Sequence, residues 1–243
     1  MDLSVNSPYR IGLLAFAFVA ANCVSTPRQT ESLTVDPEPS ANQPLPQPVA
    51  PEPQADAAQV FPETVAPCAG MAVKNAPSDT YSPIALISGD DLFGDDGVPL
   101  AIAPIENGCL SSGMGFRRRS LHKGIDFNSR TPATIYAAGD GVVREVAYRR
   151  DYGYMVVIDH GDHVFTRYAH LEWTPPWLQP GMEVRMGAPI ARMGQTGRAT
   201  ARHLHYEVLL GDYDTPKRSF GLKPIDPFDY PRRQRPAPQP PYA

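Results

Sequence analysis

The uneven distribution of proline limits which parts of this chain can form a packed core. The 243-residue sequence contains 28 prolines, more than twice ordinary usage, and they are concentrated towards both ends. Residues 23–67 are rich in proline and glutamine and poor in large apolar side chains, so they cannot bury enough surface to offset chain entropy. We interpret residues 23–67 as a disordered, extended tether and residues 231–243 as a disordered tail. One domain remains, over residues 68–230.

An apolar run near the N-terminus indicates a targeting segment. The run from Ile11 to Ala21 is long enough for a signal-peptide core but shorter than the roughly 20 residues that span a bilayer. Residues 1–22 are therefore interpreted as a signal peptide, and we expect an exported protein of the periplasm or cell envelope. Cys23 ends "VAANC", as in a bacterial lipoprotein signal, which makes it a candidate for lipidation and membrane anchoring. Ordinary cleavage near Ala21 is the alternative.

Charge and cysteine content narrow the possibilities further. The formal net charge is −4, and no basic stripe with interleaved aromatic residues occurs, so nucleic acid is not an expected partner. If Cys23 carries lipid, Cys68 and Cys109 remain as a pair, and an oxidising compartment favours joining them. We therefore predict a Cys68–Cys109 disulfide; two unpaired buried thiols are the alternative.

Short strands separated by turns dominate the predicted domain. Each predicted strand is rich in Val, Ile and Tyr and is bounded by Gly, Asp or Pro. No stretch of ten or more residues carries a helical stripe, so we predict a mainly β fold with largely antiparallel pairing. The predicted strands are Gly141 to Tyr148, Tyr154 to Asp159, His163 to Leu171, Pro189 to Gly194 and His203 to Leu210.

The last of these strands carries two histidines. Because alternate side chains of a strand share a face, His203, His205 and Glu207 are predicted to point away from the core-facing residues between them. Two imidazoles about 6–7 Å apart suit a metal ligand and a neighbouring group, although alternating histidines on an exposed face are often merely solvated. Glu207 is a candidate to orient a ligand, and a solvated strand glutamate is the alternative.

A second cluster, in "LHKGIDF", strengthens the case for a metal. On a flat strand His122 and Asp126 would be roughly 13 Å apart, so the backbone must curl, and Gly124 supplies permissive dihedral angles. Imidazole and carboxylate both bind zinc, so His122, Asp126 and one histidine of the later pair would supply three protein ligands and leave an open position. That arrangement is typical of catalytic sites. His170 is a further candidate, on a strand face predicted to be shared with Val164, Thr166 and Tyr168, whereas His160 and His163 are interpreted as polar hairpin residues.

An ordered series of motifs resembles one protein family. "SSGMGFR", "LHKGIDF", "IYAAGDGVV", "YGYMVVIDHG", "TRYAHL", "GAPIARMGQTGRAT", "HLHYEV" and "KPIDPFDY" are similar to the motifs of lysostaphin-type (LytM-like) zinc metallopeptidases of bacterial cell walls. The resemblance covers about residues 105–228. It implies the duplicated hybrid motif fold, with a substrate groove across an antiparallel sheet. It also implies that His122, Asp126 and His205 bind Zn²⁺ and that His170 and His203 are catalytic groups beside the metal.

The resemblance leads to a functional hypothesis. It implies a zinc endopeptidase that hydrolyses peptide crosslinks of peptidoglycan through a metal-activated water, and an exported enzyme on a long tether suits such an immobile polymer. The main alternative is a non-catalytic LytM-like regulator that activates a cell-wall amidase. Members with that role lack metal ligands, whereas this chain retains the full set. A metal-storage lipoprotein would require a closed coordination sphere.

Overall fold

The computed structural model describes residues 61–62, 64–77, 84–87, 97–117, 120–213 and 221–231. These residues belong to one compact unit spanning Pro46–Ala243, and a second unit, Met1–Leu45, lies outside the described residues. The signal peptide, Cys23, most of the tether and nearly all of the tail also lie outside them and remain predictions. Within the described ranges, no helix is long and apolar enough to span a bilayer.

Fourteen β-strands and one 3₁₀ turn account for the regular structure of the described residues. Every pairing between these strands is antiparallel. The mainly β, antiparallel fold class predicted from the sequence is therefore confirmed. The strands are β1 Ile84–Ile87, β2 Val98–Ala101, β3 Cys109–Ser112, β4 Gly115–Arg117, β5 Ser120–His122, β6 Ile125–Asn128, β7 Thr134–Tyr136, β8 Gly141–Arg149, β9 Gly153–Asp159, β10 Val164–Trp173, β11 Glu183–Val184, β12 Pro189–Met193, β13 Leu204–Leu210 and β14 Lys223–Ile225; the 3₁₀ turn is Pro227–Asp229.

The largest sheet contains ten strands. Seven of them run in the order β11-β8-β9-β10-β13-β6-β3, while β12 joins β10 to β7 and β14 pairs with β13. Strand pairs β1–β2 and β4–β5 form two small separate sheets. All five strands predicted from the sequence are present, with ends that differ by at most two residues. The central strands β10, β13 and β6 are adjacent, and they carry most of the candidate site.

Both faces of the central strands are covered by apolar side chains. Tyr168, Tyr206 and Val208 belong to the main core on one face, whereas Phe165 and Leu209 belong to a smaller cluster on the other. Alternate residues of a strand point to opposite faces, so a strand buried on both sides reads as a nearly continuous apolar run. This second apolar layer explains why polar groups placed among its side chains are shielded from water.

A disulfide ties the start of the described region to the large sheet. Cys68 and Cys109 are bonded, with 41 residues of sequence separation, as the sequence predicts. Phe61 and Val65, which the sequence analysis assigns to the end of the tether, are buried in the main core. The packed region therefore begins before residue 68, because these two large side chains contribute apolar surface within an otherwise proline-rich segment.

Candidate metal centre and groove

An open groove of about 530 Å³ lies over the central strands. It is lined by residues from β4, β5, β6, β10 and β13 and from the loops that connect neighbouring strands. All five residues predicted to bind metal or act beside it border this groove: His122, Asp126, His170, His203 and His205. The predicted groove across an antiparallel sheet is therefore present.

A short link between two strands brings His122 and Asp126 together. His122 ends β5 and β6 begins at Ile125, and the two side chains meet with Nε2 3.0 Å from Oδ1. A Cβ atom on Gly124 would lie 2.3 Å from the carbonyl oxygen of Tyr206. Gly124 is thus required by close contact with β13, whereas the sequence analysis attributed its role to permissive dihedral angles.

Strand register places His205 beside this pair. His205 of β13 lies directly opposite Asp126 of β6 and opposite Ala169 of β10. Its Nδ1 is 2.9 Å from Oδ1 of Asp126 and 3.1 Å from Nε2 of His122. Three ligand atoms thus form a triangle with sides of 2.9, 3.0 and 3.1 Å. The cluster of His122, Asp126 and His205 can hold a metal ion.

The donor set and its dimensions fit zinc. Tetrahedral zinc with bonds of about 2.0–2.1 Å has neighbouring ligand atoms about 3.3 Å apart, close to the sides of this triangle. Nδ1 of His122 lies 2.8 Å from the carbonyl oxygen of Gly113, which can only accept, and 2.8 Å from the Arg117 guanidinium, which can only donate. A proton on Nδ1 satisfies Gly113 and leaves Nε2 for a metal. Two imidazole nitrogens and one carboxylate oxygen form a borderline-soft set that zinc favours.

The side chains of the cluster shift one another's pKa values. Burial lowers the pKa of His205, but hydrogen bonds to the Asp126 and Glu207 carboxylates outweigh it and raise this pKa to about 9. Burial opposes ionisation of Asp126, yet the His122 and His205 rings hold its pKa well below the usual range. His205 is therefore protonated near neutral pH in the metal-free protein, and a metal must displace that proton to bind Nδ1.

Glu207 is a buried partner of His205. Its side chain has no exposed surface, and Oε1 accepts a hydrogen bond from Nε2 of His205 at 3.0 Å and one from the Tyr152 hydroxyl at 2.9 Å. Arg167 of β10 donates to Oε2 at 2.5 Å and stacks over the Tyr152 ring. The alternative of a solvated strand glutamate is wrong, because the second apolar layer covers this face of β13.

This network fixes the orientation of the His205 ring. Since Nε2 donates to Glu207, Nδ1 is left to face Asp126 and His122, the orientation that a metal ligand needs. Burial would raise the pKa of Glu207, but the His205 hydrogen bond and the Arg167 charge lower it, so the carboxylate stays ionised. Tyr152 and Arg167 were not identified from the sequence, because only the pairing of β10 with β13 shows that Arg167 lies opposite Glu207.

His170 reaches the groove through a β-bulge. Its φ angle is +60°, and the register between β9 and β10 shifts between Tyr168 and Leu171. His170 consequently does not share a face with Val164 and Tyr168, as the sequence analysis predicted, but turns to the face that carries His205. A left-handed residue within a strand reverses the alternation, and no sequence pattern marked this one. Strand β10 also continues to Trp173, two residues beyond the predicted end at Leu171.

His170 and His203 lie together beside the ligand cluster. Their ring centroids are 4.7 Å apart, and Nε2 of His203 is 3.7 Å from Oδ1 of Asp126. His170 Nδ1 donates to the carbonyl of Thr196 and His203 Nδ1 to that of Ala201, both at 2.8 Å. Burial is the main cause that lowers the pKa of His170 to about 4, so it is neutral at pH 7.

The two remaining histidines of the described region lie elsewhere, as predicted. His160 bonds to the backbone carbonyl of Asp140 and the hydroxyl of Thr166, and His163 pairs with Asp212 near the β9–β10 turn. Neither borders the groove. Arg117, which the sequence analysis did not select, does border it and donates to Oδ2 of Asp126 at 2.9 Å.

Comparison with known families finds a match to the region that forms this groove. Residues 120–217 match the model of peptidase family M23, and this range contains all five groove residues named above. The match agrees with the resemblance of the sequence motifs to cell-wall metallopeptidases.

Curated relatives match part of the chain. Peptidoglycan DD-endopeptidase ShyC of Vibrio cholerae is 39% identical over 89 residues, which is 37% of this chain and 20% of the relative. DD-carboxypeptidase/endopeptidase Mpg of Neisseria meningitidis is 37% identical over 112 residues, which is 44% of this chain and 25% of the relative. The matched region thus spans a fifth to a quarter of the length of these curated relatives.

Solved structures with related folds include peptidases. A zinc-containing peptidase from Vibrio cholerae aligns with 28% identity and a TM-score of 0.45, covering 55% of this chain and 44% of that one. Lysostaphin from Staphylococcus simulans aligns with 23% identity and a TM-score of 0.43, covering 51% of this chain and 48% of that one.

Proposed function

We propose that this domain is a zinc-dependent endopeptidase that hydrolyses peptide crosslinks of bacterial peptidoglycan. The observation that carries the proposal is the convergence of His122 Nε2, Asp126 Oδ1 and His205 Nδ1 on one point of an open groove, with two further histidines beside them. Three protein ligands in an accessible groove are typical of catalytic zinc, whereas structural zinc is usually enclosed by four ligands.

Each ligand has a separate support that holds it for the metal. Gly113 fixes the His122 ring, Arg117 holds the outer oxygen of Asp126, and Glu207 fixes the His205 ring. Zinc bound there would lower the pKa of a water molecule towards about 7 and polarise the scissile carbonyl group. The surrounding hydrogen bonds keep the ligand atoms aimed inwards without rearrangement.

His170 and His203 are proposed to handle protons and charge during hydrolysis. Because both rings donate through Nδ1 to backbone carbonyls, Nε2 of each is left for the reaction. A neutral imidazole there can accept a proton from the attacking water, and a protonated one can stabilise the developing oxyanion or donate to the leaving amine. Tyr152 and Arg167 act at a distance, through Glu207 and His205.

The substrate is inferred from the relatives. Both ShyC and Mpg carry names of enzymes that cleave peptides, and the name of ShyC specifies peptidoglycan. An open groove accommodates a segment of a large polymer, which supports a peptide crosslink as the substrate. A location in the cell envelope, a lipid anchor on Cys23 and the tether function of residues 23–67 complete the proposal. Cys23→Ser should release the protein from membranes if the anchor is present.

Digestion of purified peptidoglycan tests the proposal directly. We expect the zinc-loaded protein to release fragments whose mass spectra identify a cleaved crosslink. A chelator should abolish this release, and added zinc should restore it. If the fully zinc-loaded protein releases nothing but activates a wall amidase, the regulatory alternative holds instead. If no zinc binds, the metal assignment fails as well.

A further inference from the structure

The groove combines three cationic side chains with little exposed negative charge. Arg117, Lys123 and Arg198 all line it, although the chain as a whole has a formal net charge of −4. Lys123 lies in the turn between the ligands His122 and Asp126, and Arg198 lies in the segment between β12 and β13 that leads to His203. Two separate segments that border the metal cluster therefore each place a cation in the groove.

The acidic side chains of the groove are largely neutralised by the protein itself. Asp126 contacts His122, His205 and Arg117, while Glu207 is fully buried against Arg167 and His205. Asp151 is the exposed acid among the lining residues, and its Oδ1 accepts a hydrogen bond from the backbone N–H of Tyr152. The charge that the groove presents to solvent is consequently positive, and a bound divalent cation adds to it.

Lys123 and Arg198 are available for a ligand. Both are exposed, and neither forms an ion pair within the described part of the chain, whereas Arg144, Arg167 and Arg185 each pair with a carboxylate. The backbone N–H of Arg198 donates to the carbonyl of Asp151, which anchors its loop beside the groove. Ammonium and guanidinium groups form strong charge-assisted hydrogen bonds to carboxylates.

We infer that Lys123 and Arg198 determine specificity by binding free carboxylates of the substrate peptide near the scissile bond. The inference rests on the proposed function and specifies its substrate. The preferred crosslink is an anionic peptide, and crosslinks whose carboxylates are absent or amidated are poorer substrates. Charge complementarity in a concave site raises the local concentration of an anionic substrate and aligns its scissile bond with the metal site. Arg117 contributes to the same field while it holds Asp126.

Matched substrates separate this inference from the proposed function. The probes are a purified crosslinked peptide dimer with free carboxylates and the same dimer after chemical amidation of those groups. We expect the zinc-loaded protein to show a lower KM for the carboxylate form and the preference to shrink as salt is added. Lys123→Met and Arg198→Gln should each reduce the preference by roughly two- to tenfold. Lys223→Met, which removes an exposed cation outside the groove, should leave it unchanged.

Two outcomes overturn the inference. Equal KM values for both dimers, or a preference that is undiminished in the double variant Lys123→Met/Arg198→Gln, would contradict it while crosslink hydrolysis stands. If neither dimer is cleaved, the proposed function fails. The charge preference is then tested by the binding of both dimers to the zinc-loaded His203→Ala protein. Equal affinity of this variant for the two dimers would overturn the inference, whatever the outcome for hydrolysis. Zinc content equal to that of the unmodified protein verifies that the variants are folded.

Discussion

Two buried clusters of the same composition lie in this sheet, and only one belongs to the candidate site. Each joins a buried glutamate to an arginine and a tyrosine hydroxyl, and both tyrosines pack against the smaller apolar cluster. The clusters are Glu207 with Arg167 and Tyr152, and Glu145 with Arg149 and Tyr213. Of the two glutamates, Glu207 is the one with a described hydrogen bond to a histidine of the candidate metal cluster, His205.

The difference shows that a buried charged network does not by itself indicate a functional site. Glu145 is paired within β8 and with Tyr213, which satisfies its charge and stabilises local structure. Glu207 instead lies two residues after His205 on one face of β13, and the ring links it to Asp126. The register of β13 and β6 places Asp126 opposite His205, so the Glu207–Arg167 ion pair supports a proposed metal ligand.

The largest expected effect comes from removing the histidine that distinguishes the two clusters. His205→Ala deletes one of the three proposed ligands, so zinc affinity should fall by several orders of magnitude and hydrolysis should be lost. Metal analysis of the purified variant and digestion of peptidoglycan measure both effects. His160→Ala, a histidine outside the groove, is the control and should keep its zinc. Near-stoichiometric zinc in His205→Ala would contradict the ligand assignment.

His203→Ala should separate metal binding from hydrolysis. His203 lies beside Asp126 but outside the triangle of ligand atoms, so the variant should keep near-stoichiometric zinc and its fold. The rate of crosslink hydrolysis should drop by about 100-fold to 10,000-fold, the usual contribution of a group that transfers protons. If His203→Ala loses zinc while His205→Ala retains it, the two roles are reversed.

The same substitution in each glutamate cluster tests whether only Glu207 supports metal binding. Glu207→Gln removes the charge that holds His205, so zinc affinity should fall by about 10-fold to 100-fold. Glu145→Gln should leave zinc affinity unchanged. Glu207→Gln removes a buried carboxylate that pairs with the buried Arg167, so it should lower the free energy of unfolding by about 3 kcal/mol. Glu145→Gln should lower it less, because a quarter of the Arg149 side chain is exposed to solvent. Equal zinc affinities in the two variants would show that Glu207 is only structural.

The pH dependence of the metal-free protein tests the charge of the His205 ring. Because the folded-state pKa of His205 is about 9, above its usual value of 6.5, its stabilising contribution is complete below pH 6.5 and is lost as the pH rises through 9. Unfolding of metal-free protein followed between pH 6.5 and 9.5 should show this decline, on the order of a few kcal/mol. Glu207→Gln should weaken the decline and Glu145→Gln should not. A flat profile in the unmodified metal-free protein would contradict the charged state of His205.

Apparent zinc affinity should change in the opposite direction over the same range. Binding displaces the proton of His205, so affinity should rise by up to about tenfold per pH unit until pH 9. Competition with a chelator of known proton affinity measures this slope. His160→Ala should show the same slope as the unmodified protein, because burial lowers the pKa of His160 to about 4 and leaves it neutral throughout.

The strand positions, and the three residues that meet in the cluster, were largely predictable. The five predicted strands agree with the structure, because Val, Ile and Tyr runs bounded by Gly, Asp and Pro reflect local backbone preferences. His122, Asp126 and His205 were selected by residue chemistry and by family resemblance, and the Cys68–Cys109 bond followed from counting cysteines. The burial of Phe61 and Val65 was not predicted, since proline-rich composition obscured two side chains that pack in the core.

The sequence by itself determined which elements form and which residue types can bind a metal, since both depend on local pattern and side-chain chemistry. Only the tertiary structure decided which of those residues meet. The pairing of β13 with β6 and β10 set His205 against Asp126 and Glu207 against Arg167, and a bulge turned His170 towards them. A single-residue change in register moves a side chain to the opposite face of a sheet, so these contacts depend on non-local pairing that no local pattern encodes.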